Sequence, residues 1–128
     1  MRAVDTNVLV RLATGDDVAQ AGAAEKFVRG GAWVSHLVIA ETVWVLRSTY
    51  GLKASQIVTA IEMLLDHPSL AIQEPEVVTA AVAHFRARPA VNFTDCLILE
   101  IARKAGHVPV GTFDREFSKL PDMQRISD

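Results

Sequence analysis

The chain has 128 residues, enough for one domain with its own hydrophobic core and short for two. Half of the residues are apolar and 22% are charged, which excludes a disordered chain, and 13 Lys and Arg against 15 Asp and Glu give a net charge of −2, without the polybasic footprint that marks nucleic-acid or membrane binding. The single cysteine, Cys96, excludes a disulfide framework and a cysteine zinc cluster and fits a reducing compartment.

Asp5 and Arg11 interrupt what would have to be the apolar core of a signal peptide. The longest apolar stretch, Leu37 to Leu46, is broken by Glu41 and Thr42 and reaches about half a membrane span. A soluble cytoplasmic protein is expected, formed as one domain over residues 1–128.

In chain order, Arg2-Ala3-Val4 is a short strand running into Asp5-Thr6-Asn7, a helix-start signal, with Val8, Leu9 and Leu12 following at helical spacing. Asp16 and Asp17 can cap a second helix through Ala19, Ala23, Ala24, Phe27 and Val28, closed by Gly30-Gly31. Ala32 to Ser35 is a second strand; Leu37 to Tyr50, ended by Gly51, and Ser55 to His67 form a helical hairpin. Leu70-Ala71-Ile72 is a third strand, and Pro75 suits the first turn of a helix running to Arg88 before Pro89. Asn92-Phe93-Thr94-Asp95 opens a helix to Lys104, stopped by Gly106. Val108 to Thr112 is a fourth strand, Asp114 to Lys119 a short helix, and Met123 to Ile126 an edge strand. Strands alternating with helices predict an α/β fold with a mostly parallel sheet covered on both faces. Functional groups then collect beyond the carboxyl ends of the strands, where Asp5 and the Thr112 to Asp114 segment fall.

Three acids have structural reasons to be where they are. Asp5 and Asp114 can cap the helices that follow them, and Asp95 can be the acidic third residue of a helix capped by Asn92. Glu41 has no such cap to make, because its helical neighbours at three and four residues are Leu37, Val38, Trp44 and Val45; its structural alternatives are an exposed helix edge or a pair with an Arg such as Arg47. An ionised carboxylate on a core-facing stripe loses several kcal/mol of hydration unless a cation or donors replace the water. Asp95 repeats the pattern, with Ile98, Leu99 and Ala102 continuing its face. Four converging carboxylates are held together at neutral pH by a hard divalent cation, and Mg²⁺ or Mn²⁺ suits oxygen ligands. Trp33, Trp44, Phe27 and Phe85 sit inside apolar runs and are expected in core or interface, His36 is expected as a polar loop residue, and Cys96 as a small buried side chain.

Val4-Asp5-Thr6-Asn7-Val8-Leu9, Glu41 in the third helix, Thr94-Asp95 and Thr112-Phe113-Asp114 together resemble the PIN-domain family, most closely the VapC-type toxins of toxin–antitoxin pairs. The resemblance runs from Arg2 to the last strand in order and spacing. It implies a PIN-like three-layer fold, with a central mostly parallel sheet of four to five strands flanked by helices. It also implies a metal-dependent endoribonuclease that cleaves RNA phosphodiester bonds by metal-activated water, leaving a 5′-phosphate and a 3′-hydroxyl. Asp5, Glu41, Asp95 and Asp114 are similar to the acidic quartet that binds Mg²⁺ or Mn²⁺, with Glu41 either a ligand or a base; Thr6 and Thr112 match the hydroxyls beside it, and Asn7 the orienting residue after the first acid. Many relatives carry Asp-Phe-x-Asp where this chain has Asn92-Phe93-Thr94-Asp95, which removes a charge and leaves one or two metal ions open. Arg11 and Arg115 are candidates to hold substrate phosphates. A cognate antitoxin protein and a homodimer are the implied partners.

Two other classes compete. A phospho-accepting receiver domain would need an acidic pair after the first strand, a phosphorylated Asp after the third and a late Lys; the chain offers Asp5 alone, Gln73-Glu74-Pro75, and no such Lys. A haloacid-dehalogenase-type phosphatase would need a second Asp where Asn7 stands. A PIN-like module that binds nucleic acid or protein without cutting keeps the same acids. With the quartet set aside as metal ligands, 11 acids face 13 bases, and residues 54–85 hold four acids and no Lys or Arg. The remaining surface is then mildly basic, so the overall −2 does not exclude RNA.

Overall fold

Helix starts and stops follow the capping chemistry of the chain. In the computed structural model, which describes residues 1–127, α1 (Thr6–Thr14) begins at Asp5, α2 (Val18–Val28) at Asp17 and α3 (His36–Ser48) at Ser35, each through a side-chain oxygen that accepts a backbone N–H. Helix α4 (Ala54–Asp66) starts at Lys53, whose N–H donates to Gln56 Oε1 at 2.8 Å. Helix α5 (Pro75–Ala87) opens on proline, and α6 (Phe93–Ala105) on Asn92. Gly15 and Gly106, in left-handed backbone with φ of 62° and 83°, end α1 and α6, and their amides return to carbonyls of the last turn.

The chain divides into two compact units, Met1–Pro75 and Glu76–Asp128. In the first, β1 (Arg2–Ala3), β2 (Ala32–Val34) and β3 (Leu70–Ile72) form a parallel sheet in that order, with Ala3 opposite Trp33 and Val34 opposite Ile72. Helical crossovers join the strands, as parallel pairing requires. Helix α1 packs on α2 and α3, and α4 packs on α3 and β3. Leu9, Val28, Val34, Ile39, Leu46, Ile57, Ile61 and Leu64 are fully buried there.

In the second unit, β4 (Val110–Thr112) pairs in parallel with β5 (Met123–Arg125), and a 3-10 turn at Phe117–Lys119 leads into β5. Phe85 of α5 meets Phe93 of α6 edge to face, with ring centres 6.0 Å apart and both rings fully buried. Beside them His84 Nε2 lies 2.8 Å from Glu100 Oε1, and Glu100 also faces Arg103 at 3.7 Å.

The α/β class and the PIN-like succession of elements are as expected. One expected feature differs: the strands bond in two ladders, of three and of two, rather than in one continuous sheet. Alternating strands and helices force parallel crossovers, but strands of two or three residues carry no signal about which edges pair.

Three side-chain placements also correct the sequence. The stripe around Glu41 does not face the core: Leu37 and Trp44 are 68% and 65% exposed and Glu41 is exposed, because α3 buries the face of Ile39, Thr42, Val43 and Leu46. Trp33 and Phe27 are also partly exposed, at 41% and 36%, so of the four aromatics expected in core or interface Phe85 alone is core. His36 is buried in the first turn of α3 rather than sitting in a loop; its N–H donates to Gln73 Oε1 at 2.9 Å, and its Nε2 has no partner among the described residues. No helix among the described residues is long and apolar enough to cross a membrane.

Candidate active site

In the first unit, Asp5 stands just past the carboxyl end of β1 and caps α1, its Oδ1 accepting the Val8 N–H at 3.3 Å. The next residue, Thr6, donates its hydroxyl to Glu41 Oε2 at 2.8 Å and so ties α1 to α3 beside Asp5. Each carboxylate uses one oxygen in these bonds and keeps the other without a partner among the described residues. Asn7 is exposed one position further on.

In the second unit, Thr112 ends β4, and its hydroxyl accepts the Asp114 N–H at 3.0 Å. Asp114 Oδ1 in turn accepts the Phe117 N–H at 2.9 Å. The capping reading of Asp114 therefore holds, and one oxygen again stays open. Asn92 Oδ1 caps α6 by accepting the Thr94 N–H at 3.2 Å, which places Asp95 in the first helical turn, half-buried. Burial first, and the negative charge of Asp114 second, push the Asp95 carboxyl above its ordinary value. The same surroundings push the adjacent Cys96 thiol up to about 12, through its own burial and the charge of Asp95.

Each unit thus presents two carboxylates; Asp5, Glu41 and Asp114 are oriented by a hydroxyl or a helix amide, and no histidine or thiol is among their hydrogen-bond partners in the described residues. That donor chemistry fits a hard divalent ion, which takes one or two carboxylates and fills its remaining positions with water or phosphate oxygen. Among the described residues no group of three or more His, Cys, Asp or Glu is placed to hold a metal ion; Asp5 and Glu41 belong to the first unit, Asp95 and Asp114 to the second.

The two candidate arginines differ. Arg11 donates to Gln20 Oε1 at 2.6 Å, to Asp16 Oδ1 at 2.9 Å and to the Tyr50 hydroxyl at 3.2 Å, a network joining α1 to the start of α2 and the end of α3. Asp16 also takes the Thr14 and Tyr50 hydroxyls, and these bonds hold its carboxyl down at about 2. Arg115 is exposed beside Asp114, and its guanidinium has no partner among the described residues.

Sequence reasoning missed a groove in the first unit. A cavity of about 310 Å³ lined by Ala3, Val4, Asp5, Val8 and Phe27 adjoins one of about 270 Å³ between α1 and α2, and Val8 and Phe27 line both. The available signal was Phe27 on α2 four residues after Ala23, a large side chain beside a small one on one helical face.

In the comparisons with known proteins, the PIN domain family model matches residues 2–123. No curated protein and no solved structure gives a significant match.

Proposed function

Since the chain belongs to the PIN domain family, whose members are generally metal-dependent nucleases, we propose that it is a Mg²⁺- or Mn²⁺-dependent endoribonuclease acting as a VapC-type toxin under the control of a cognate antitoxin. The observation that carries the nuclease reading is the set of orienting bonds. Asp5, Glu41 and Asp114 are each fixed through one oxygen by a neighbouring hydroxyl or amide while the other oxygen stays open. Asp95 and Asp114 repel each other at neutral pH, a cost that a bound cation removes.

In this reading Asp5, Glu41, Asp95 and Asp114 are the residues that would hold the metal. A bound ion would supply Lewis-acid stabilisation of the scissile phosphate and would lower the pKa of the attacking water. Thr6 fixes the rotamer of Glu41, so that its open oxygen accepts a proton or binds the ion. Thr112 sets the backbone turn that aims Asp114. Arg115, next to Asp114 and uncommitted, holds a phosphate of the RNA chain. Arg11 braces α1 against α2 and α3 instead. In-line cleavage leaves a 5′-phosphate and a 3′-hydroxyl.

Exposed Leu37 and Trp44 on α3 support partner binding, since isolated folded chains seldom leave two such side chains open on one stripe; they fit a homodimer or an antitoxin contact in the cytoplasm. The decisive experiment is an RNA digest with purified protein in Mn²⁺ and in chelator, beside Asp5→Asn. Cleavage in Mn²⁺ alone, lost in the variant, is expected; equal rates for the variant and wild type overturn the assignment. Growth arrest on expression, relieved by Asp5→Asn, tests the toxin role. A non-cleaving binding module is the second reading, favoured by Asn92, whose amide is used to cap α6 where an acid would add a charge.

A further inference from the structure

The groove between α1 and α2 leads to Asp5 and has no role in the chemistry above. Its two cavities share Val8 and Phe27 in their walls; one reaches Asp5 and the other Asn7, Arg11 and Gln20. Its walls are largely apolar. Its polar lining is the Asp5 carboxylate at one end and, at the other, the Arg11 guanidinium, committed to Gln20, Asp16 and Tyr50, with two amides: Asn7 has no side-chain partner among the described residues, and Gln20 uses only its Oε1, toward Arg11. Apolar walls with a few amide donors and acceptors match a flat heteroaromatic ring.

The charge around the groove suits a polyanion. The Arg2 guanidinium lies 3.8 Å from the centre of the Phe27 ring and donates to the Phe27 carbonyl at 3.0 Å, which fixes a cation at the rim. Lys26 lies in the last turn of α2 and Arg29 at its C-cap, adding positive charge to that end of the helix. Glu25, the acid nearest in sequence, faces His67 at 3.5 Å. Part of the ring stays open beyond Arg2, since Phe27 is 36% exposed.

We propose that this groove is a nucleobase subsite for single-stranded RNA. A base beside the scissile phosphate lies against Val8 and Phe27, its edge is read by Asn7 and Gln20, and Arg2 holds an adjoining phosphate. The assignment rests on the nuclease reading for the position of the scissile phosphate at Asp5, but base binding itself needs no cleavage.

Binding and cutting are therefore measured separately. Fluorescence anisotropy in Ca²⁺ with labelled oligo-A, oligo-C, oligo-G and oligo-U reads the groove, and digestion in Mn²⁺ reads the metal centre. Ala23 is exposed on α2 and lines the groove, so Ala23→Trp fills it from a position where folding tolerates a larger side chain. The dissociation constant for the preferred single strand is expected to rise about tenfold, within the range that losing one base–aromatic contact produces. The preference among the four oligomers is expected to flatten, while binding of a duplex of the same sequence changes little. Phe27→Leu keeps the apolar volume but removes the ring; it is expected to shift binding in the same direction and serves if the tryptophan variant melts early.

Unchanged affinity and preference in both variants overturn the subsite, as does an equal loss for single strand and duplex. A change in sedimentation without a change in RNA binding also overturns it, and makes the groove a protein interface. Mn²⁺-dependent cleavage with unaltered binding in the variants removes the subsite and leaves the nuclease standing. Groove-dependent binding without any cleavage does the reverse.

Discussion

Replacing Asp95 by Asn should move the stability of the protein in opposite directions with and without metal. Folding half-buries the Asp95 carboxylate and sets it near Asp114, so without metal the carboxylate is a burden on the fold. The metal-free variant is expected to melt at or above the wild-type temperature at pH 7. The sign with pH follows from the raised folded value: the burden is absent where Asp95 is protonated in both states and grows as pH rises past its unfolded value, so the advantage of the variant fades in acid. With Mn²⁺ at a hundred times its dissociation constant, mass action stabilises the wild type by about 2.7 kcal/mol. An unfolding entropy of about 2.1 cal/mol/K per residue amounts to about 0.27 kcal/mol/K over 128 residues, so the melting temperature rises by about 10 °C. If losing the ligand weakens the site by about a hundredfold, the ion only half-fills it at the same concentration, and the gain falls to about 0.4 kcal/mol, or between 1 and 2 °C. Differential scanning fluorimetry with a Mn²⁺ series and a chelator blank measures all of these quantities. An equal Mn²⁺ gain in the variant, or a metal-free variant that melts well below the wild type, refutes the reasoning.

Other expected outcomes follow from single contacts. Asp16 is held at about 2 by the Thr14 and Tyr50 hydroxyls and Arg11, so its contribution is complete above the ordinary carboxyl range and is lost as pH falls through about 2. Asp16→Asn should therefore lower the melting temperature at pH 7, and the gap should narrow as pH falls toward about 2 in a thermal scan. Cys96 is fully buried with its thiol pushed up to about 12, so a disulfide reagent at pH 8 should leave the native chain unlabelled and react once denaturant is added; rapid native labelling contradicts that placement. Phe85→Ala removes a fully buried ring and its edge-to-face contact with Phe93, at a cost of about 3–5 kcal/mol, and should lower the melting temperature by roughly 10–20 °C in a calorimetric scan.

What could be read in the sequence was what local chemistry determines. Asp5, Asp17 and Asn92 begin helices because a short polar side chain before an apolar periodic run accepts an orphan amide, and that rule acts within a few residues; Ser35, which the sequence places at the end of the second strand, proves to cap α3 in the same way. Strand pairing depends on partners 30 or more residues away and on ladders of two or three residues, so the division into two sheets left no mark in the pattern. The direction of the Glu41 stripe was equally hidden. A helix with apolar residues nearly all round has no unique buried face, and α3 settles the choice by burying Ile39, Val43 and Leu46 and leaving Leu37 and Trp44 outside.

The acids show why capping and metal binding should not be weighed as rivals. From the sequence, Asp5 and Asp114 could be explained as helix caps, which would make any further role unnecessary. Yet each cap engages one oxygen, with the Val8 amide on Oδ1 of Asp5 and the Phe117 amide on Oδ1 of Asp114. A carboxylate held by a single amide is restricted in orientation and has its second oxygen open, which is the arrangement a ligand for a hard cation needs before the ion arrives. Glu41 reaches the same state without a helix terminus, through the Thr6 hydroxyl that immediately follows the Asp5 cap. One turn, Asp5-Thr6, therefore orients both acids of the first unit. Thr6→Val, which keeps the shape and removes the donor, should lower Mn²⁺ affinity by roughly tenfold while leaving the melting temperature of the metal-free protein nearly unchanged. Equal losses of metal affinity and metal-free stability would reduce the Thr6 bond to a structural contact.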